Sequence, residues 1–154
     1  MPQVLLSVPP DPAFVRLTRL VATDLARKAG VPEDVLDDVR LAVGQACARA
    51  VSVHRLEGLP DPVLVGFADD PWVEVTVQDK APLPAAVGEQ AAVVLSQAAA
   101  GVASWDVEDR DGVGNGAGGV RSVVPEIALL QALTPELTLA TGPAGSVVCM
   151  RWPR

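Results

Sequence analysis

Leu36-Asp37-Asp38-Val39-Arg40-Leu41-Ala42-Val43-Gly44-Gln45-Ala46-Cys47-Ala48-Arg49-Ala50-Val51 is the stretch whose pattern settles the fold. Leu36, Val39, Val43, Cys47, Ala50 and then His54 recur at intervals of three and four, the spacing at which side chains share one face of an α-helix. Pro32, Glu33 and Asp34 supply the start, because proline suits the first turn and acidic side chains meet the positive end of the helix dipole. The pattern predicts a long helix from Pro32 to Leu56. Asp38, Gln45, Arg49 and Ser52 run along its flank at near-helical spacing, and are expected to form one polar surface facing a pocket between helix and sheet. An ordinary solvated helix face is the competing account.

Towards the N-terminus, Val4 to Val8 reads as a strand. Pro9-Pro10-Asp11-Pro12 then breaks the chain and starts a helix, with Asp11 as cap and Pro12 at the first helical position. Phe14, Leu17, Val21 and Leu25 fall on one face of that helix, Arg16, Arg19, Arg27 and Lys28 add positive charge, and Gly30 ends it.

Towards the C-terminus, Val63 to Phe67 and Trp72 to Gln78 are strand candidates, the second alternating Val73, Val75 and Val77 with Glu74, Thr76 and Gln78. Ala68-Asp69-Asp70-Pro71 joins them as a tight turn, so they form an antiparallel hairpin. From Asp79 to Val120 the signal weakens. Ala85 to Ala103 is alanine-rich and compatible with helix, and Asp111 to Gly119 is glycine-rich and expected to be a mobile linker, since it lacks the lysine and strand context of a phosphate loop. Ile127, Leu129, Leu130 and Leu133 suit a short helix, Glu136 to Thr141 a strand, Gly142 to Gly145 a turn, and Ser146 to Trp152 a last strand. The order βααββ, an irregular segment, then αββ argues an α+β two-layer sandwich: a mixed, mainly antiparallel sheet with helices on one face.

With 154 residues the chain is expected to be one domain, residues 1–154, carrying an irregular lid-like segment at about 80–120. It is 49% hydrophobic and 20% charged, with no membrane-length apolar run and no secretory signal at its start, so a cytoplasmic protein with no membrane contact is expected. A net charge of −7 repels phosphate backbones, which argues against direct nucleic-acid binding. One histidine, His54, and two distant cysteines, Cys47 and Cys149, leave no cluster for zinc and no serine-histidine-aspartate set. Both cysteines are read as buried thiols.

The 36–51 helix resembles the helix of the histidine-kinase-like ATP-binding fold in which a glutamate and an asparagine, four residues apart, serve ATP and magnesium. Leu137-Thr138-Leu139 through Gly145-Ser146-Val147-Val148-Cys149-Met150-Arg151-Trp152-Pro153 resembles the closing hairpin of the same fold. Within it, the chain is most similar to the short actinobacterial anti-sigma regulatory factors, the anti-sigma serine kinases.

That resemblance implies an ATP site, and this sequence departs from it. Gln45 stands at the glutamate position and lacks the carboxylate a general base needs, so no catalytic residue is assigned. Arg49 stands at the asparagine position and offers only donors, the wrong chemistry for holding Mg²⁺. Asp79 falls at the position of the aspartate that reads the adenine amine, the one match among the ligand residues. Ala81 and Leu83 replace glycines after it, and Glu126, just before the Ile127 helix, replaces a glycine that abuts phosphate. Asp79, Arg49 and Glu126 are therefore expected to line a degenerate pocket with no metal and no cofactor, ATP and Mg²⁺ being disfavoured.

The role implied is a regulatory binding module of an anti-sigma, partner-switching system that controls transcription. It would bind a sigma factor or an anti-sigma antagonist, pair as a homodimer, and lean away from being an enzyme. Arg16, Arg19 and Arg27 are the partner-binding candidates, since they place positive charge on an acidic chain. Two alternatives stay open: an active ATP-dependent serine kinase that phosphorylates the antagonist, and a sensor whose divergent pocket holds another small ligand, with Arg49 meeting an anion.

Overall fold

A computed structural model describes residues 4–81, 124–142 and 144–154, the side chains of 124–127 and 141–142 excepted. Strand β1 (Val4–Val8) leads through a 3-10 turn at Pro12–Phe14 into helix α1 (Val15–Lys28) and then α2 (Glu33–Leu56). Strands β2 (Val63–Ala68) and β3 (Val73–Asp79) follow, then α3 (Val124–Leu133), β4 (Glu136–Gly142) and β5 (Gly145–Trp152). The five strands form one sheet in the order β1-β2-β3-β5-β4, and each of its four ladders is antiparallel.

Strand alternation decides which face the helices cover. Val73, Val75 and Val77 of β3 and Val148, Met150 and Trp152 of β5 are buried and join the helices in one core, while Glu74, Thr76, Cys149 and Arg151 between them lie on the open face. On that face Arg151 ties β3 to β4, its Nε 2.6 Å from Glu74 and its Nη1 3.3 Å from Glu136. Trp152 is fully buried and donates its indole N–H to the Leu133 carbonyl at 3.0 Å, which docks the end of α3 on the sheet.

Helix α2 buries the stripe its sequence predicts: Leu36, Val39, Val43, Cys47, Ala50 and His54 are all inside. Helix α1 differs from expectation in two ways. The Pro12 start is a 3-10 turn, capped by Asp11 accepting from the Ala13 N–H at 2.9 Å, and only at Val15 does it become α. The fully buried residues are Thr18, Ala22 and Ala26, while Leu17 is 50% exposed and Phe14 also lies outside. Val21 and Leu25 of the predicted face are partly buried and pack against the core beside these small residues. Gly30, at φ +93, ends the helix as predicted.

Cys47 lies in the core, where burial pushes its thiol up to about 12 against a weaker hydrogen bond from Thr18. Cys149 is only half-buried, on the opposite side of the sheet, so the expectation of two buried thiols fails for it. Burial raises its pKa too, with the Glu74 charge adding to it. The alanine-rich stretch 85–103 and the glycine-rich stretch 111–119 lie outside the described residues.

The β4–β5 turn returns through Gly145 at φ +127, where an added Cβ would collide with the Asp79 carbonyl oxygen and stand 2.8 Å from the Lys80 Cα. Gly145→Ala is expected to cost about 2 to 4 kcal/mol, through backbone strain and overpacking, read as a lowered urea midpoint. Iodoacetamide at pH 8 is expected to label Cys149 before Cys47 in the folded protein, read by peptide mass spectrometry. Above pH 9.0 the unfolded chain ionises Cys47 while the folded chain keeps it protonated to about 12, so its contribution to stability falls across that window.

Candidate functional site

Strand β3 ends in a carboxylate sealed inside the protein. Asp79 is 2% exposed, and a charge in such a place persists only when donors surround it. Three segments supply them. Ser146, at the start of β5 and opposite Asp79 in the ladder, donates its hydroxyl to Oδ2 at 2.6 Å. The Ala81 N–H donates to Oδ1 at 3.0 Å, an Asx-type turn that carries the chain out of the strand. Arg49, reaching from α2, brings Nη1 to Oδ2 at 3.2 Å and is itself only 5% exposed.

Helix α2 grips the same strand end a second time. His54 is fully buried; its Nε2 accepts the Lys80 N–H at 2.9 Å and its Nδ1 meets the Asp61 carbonyl oxygen at 2.9 Å. Only the neutral tautomer with the proton on Nδ1 satisfies both contacts. Lys80 closes the loop outside, its Nζ 3.2 Å from Asp61 Oδ1. Asp79, Lys80 and Ala81 are thus fixed in turn by Arg49 and Ser146, by His54, and by the aspartate itself.

The predicted polar flank of α2 does not stay together. Gln45 is exposed one turn before Arg49, Arg49 is buried towards β3, and Ser52 faces a separate cleft that it shares with Pro12, Val15 and Leu56. Helical spacing alone spread them over one sector, but the long Arg49 side chain follows its carboxylate partner inward. Ala81 is buried beside Asp79, and Leu83 lies outside the described residues. Glu126 falls inside the first turn of α3 rather than before it, because the helix starts at Val124 and takes Pro125 into its first turn, where a missing N–H is tolerated.

Of the basic trio, Arg27 is engaged at 3.3 Å with Glu33 across the α1–α2 connection. Arg16 is exposed, and the stem of Arg19 lies across α2 at Gly44, where an added Cβ would come within 2.5 Å of its Cδ. Sequence reasoning missed two members of the site. Ser146 read as a strand residue and His54 as a core residue; a polar group on an otherwise apolar stripe was the available signal for His54.

The nucleotide implied by the resemblance needs Asp79 to accept from an exocyclic amine, and the donors already on that carboxylate leave room for one more at Oδ1 only. Three donors from the chain already occupy a carboxylate with about four acceptor positions. A further N–H arriving at Oδ2 would have to displace Ser146 or Arg49. Gln45 carries no carboxylate, and the Arg49 guanidinium offers only donors, with no oxygen to hold a metal ion. His54→Ala is expected to destabilise the fold by about 3 kcal/mol, since it opens a cavity and strands the Lys80 N–H. Faster amide exchange at Lys80 and Ala81 than at the far end of β3 is the local signature to measure.

The model of the histidine kinase-like ATPase domain family matches residues 8–152. The crystal structure of the RsbU and RsbW domains of Rv1364c from Mycobacterium tuberculosis is similar in fold, with a TM-score of 0.60 at 14% identity, over 99% of this chain and 32% of that chain. This chain therefore spans well under half the length of that longer one. No curated protein matches. Five antiparallel strands under helices on one face, matched by the family model from the end of β1 to the end of β5, place the assignment beyond a local motif: the chain belongs to the histidine kinase-like ATPase domain family.

Proposed function

We propose that this chain is a protein-binding module of an anti-sigma, partner-switching system, acting in the cytoplasm, in which ATP chemistry is weak or lost. The observation that carries the reading is the Arg49–Asp79 pair, 3.2 Å apart and buried on both sides. It sets a fixed cation where a magnesium ligand would be needed, and it engages the carboxylate that would receive adenine. The exposed Gln45 adds the loss of a carboxylate base. The likeness of α2 and the closing hairpin to the anti-sigma serine kinases supports the regulatory role, as does the fold shared with a structure that includes an RsbW domain.

A binding module needs surface rather than a reaction centre. Arg16 and Arg19 make no ion pair among the described residues and share α1 with Leu17 and Leu20, which are 50% and 55% exposed. A sigma factor or an antagonist presenting an acidic patch is the partner this face suits, with the positive charge steering the encounter.

Calorimetric titration with ATP and Mg²⁺ tests the loss of nucleotide chemistry. No heat is expected at millimolar ATP, together with complex formation with a partner in the absence of nucleotide. Micromolar binding, or Mg²⁺-dependent transfer of phosphate to a serine of a co-purifying partner, would reinstate the kinase.

A further inference from the structure

A cleft of about 510 Å³ opens where the turn ahead of α1 meets the last turns of α2. Its walls are apolar: Pro12 and Val15 on the α1 side, Ala48, Val51 and Leu56 on α2. The space exists because α2 carries small side chains along this flank. Gly44, Ala48 and Ser52 follow one another at intervals of four, one helical turn apart, and the stem of Arg19 lies over the first of them. Ala48, Ser52 and Arg55 are exposed, and Leu56 is 80% exposed at the rim, so the cleft is an apolar groove open to solvent.

Positive charge marks its two ends. Arg55 lines the groove and Arg19 stands beside Gly44 near the opposite end, and neither makes an ion pair among the described residues. Gly44 and Arg55 are about 16 Å apart along the axis of α2, close to three turns. Asp11 caps the Ala13 N–H and Glu57 follows the end of α2, and neither lines the groove. On a chain of net charge −7, two unpaired guanidinium groups bracketing an apolar floor are a local exception.

We propose that this groove receives an amphipathic helix of a partner protein, its apolar side chains seated between Val15 and Val51 and its carboxylates, about three turns apart, meeting Arg19 and Arg55. The small residues of α2 let a helix approach closely, and opposite charge at both ends fixes its register. A fatty acid has one carboxylate and would leave one arginine unmet. A second copy of this chain, groove against groove about a two-fold axis, would set arginine against arginine. The inference rests on the reading of the chain as a protein-binding module. It adds the chemistry of the segment bound and a seat for it apart from Leu17 and Leu20, which do not line the groove.

The test is selection from a displayed library of random peptides long enough for about four helical turns. Selection is on the wild-type protein without ATP, with counter-selection on Ser52→Trp, which fills the groove from an exposed position and should leave Tm unchanged. Enriched peptides are expected to carry apolar residues at helical spacing flanked by Asp or Glu, and to shift the amide resonances of Ala48 and Ser52. Their affinity should fall about ten-fold on Ser52→Trp and about ten-fold on Arg19→Glu combined with Arg55→Glu, and lysine-for-glutamate copies should bind that double variant better than wild type. If Ser52→Trp fails to fold, Ala48→Gln takes its place.

An absence of peptides that distinguish wild type from the filled variant would overturn the proposal, as would binders without acidic bias. Dodecanoate that shifts Ala48 and Ser52 where no peptide does would overturn it in favour of an acyl chain. A dimer in sedimentation that Ser52→Trp dissolves would overturn it in favour of a second copy. Micromolar ATP binding or phosphate transfer by wild type would instead sink the nucleotide-independent reading and leave the peptide result standing, so the two failures are separable.

Discussion

The carboxylate of Asp79 is the constraint around which this molecule is arranged. It sits where β3 ends, it is sealed from water, and it draws a donor from each of three places: α2, the turn that follows it, and the start of β5. Taking a carboxylate out of water costs several kcal/mol even after relaxation, so none of the three donors is dispensable to the others. Gly145 must be glycine because the β4–β5 turn passes directly over the Asp79 backbone. His54 is buried because its ring is the only side chain hydrogen-bonded to the Lys80 N–H among the described residues. The end of one strand thereby fixes the orientation of a helix and the course of a hairpin.

The fold was legible in the sequence and the site only half so, for a common reason. Helix α2, the β2–β3 hairpin and the closing hairpin announce themselves through periods of 3.6 and 2, which are local, and their bounds fall within a residue of those expected. The face of α1 was legible in part: Val21 and Leu25 pack against the core as their period implies, but periodicity counts large apolar residues, so it favoured the exposed Leu17 and passed over the fully buried Thr18, Ala22 and Ala26. Arg49 and Asp79 were each singled out, but not as a pair: 30 residues separate them, and nothing local in a sequence tells an arginine which carboxylate lies across the core. Ser146, 67 residues from its acceptor, carried no signal.

A buried ion pair is a poor means of gaining stability, since two well-packed apolar side chains of equal volume commonly serve as well or better. The persistence of charge at this point therefore asks for another explanation than strength. A hydrophobic pair at positions 49 and 79 would hold α2 against β3, yet it would leave the Ala81 N–H and the Ser146 hydroxyl without acceptors and the exit of β3 undetermined. The charged pair meets each of those donors at one point, so it specifies where the strand stops and which way the chain turns. That is a positional role, and it demands directional bonds that packing alone does not provide.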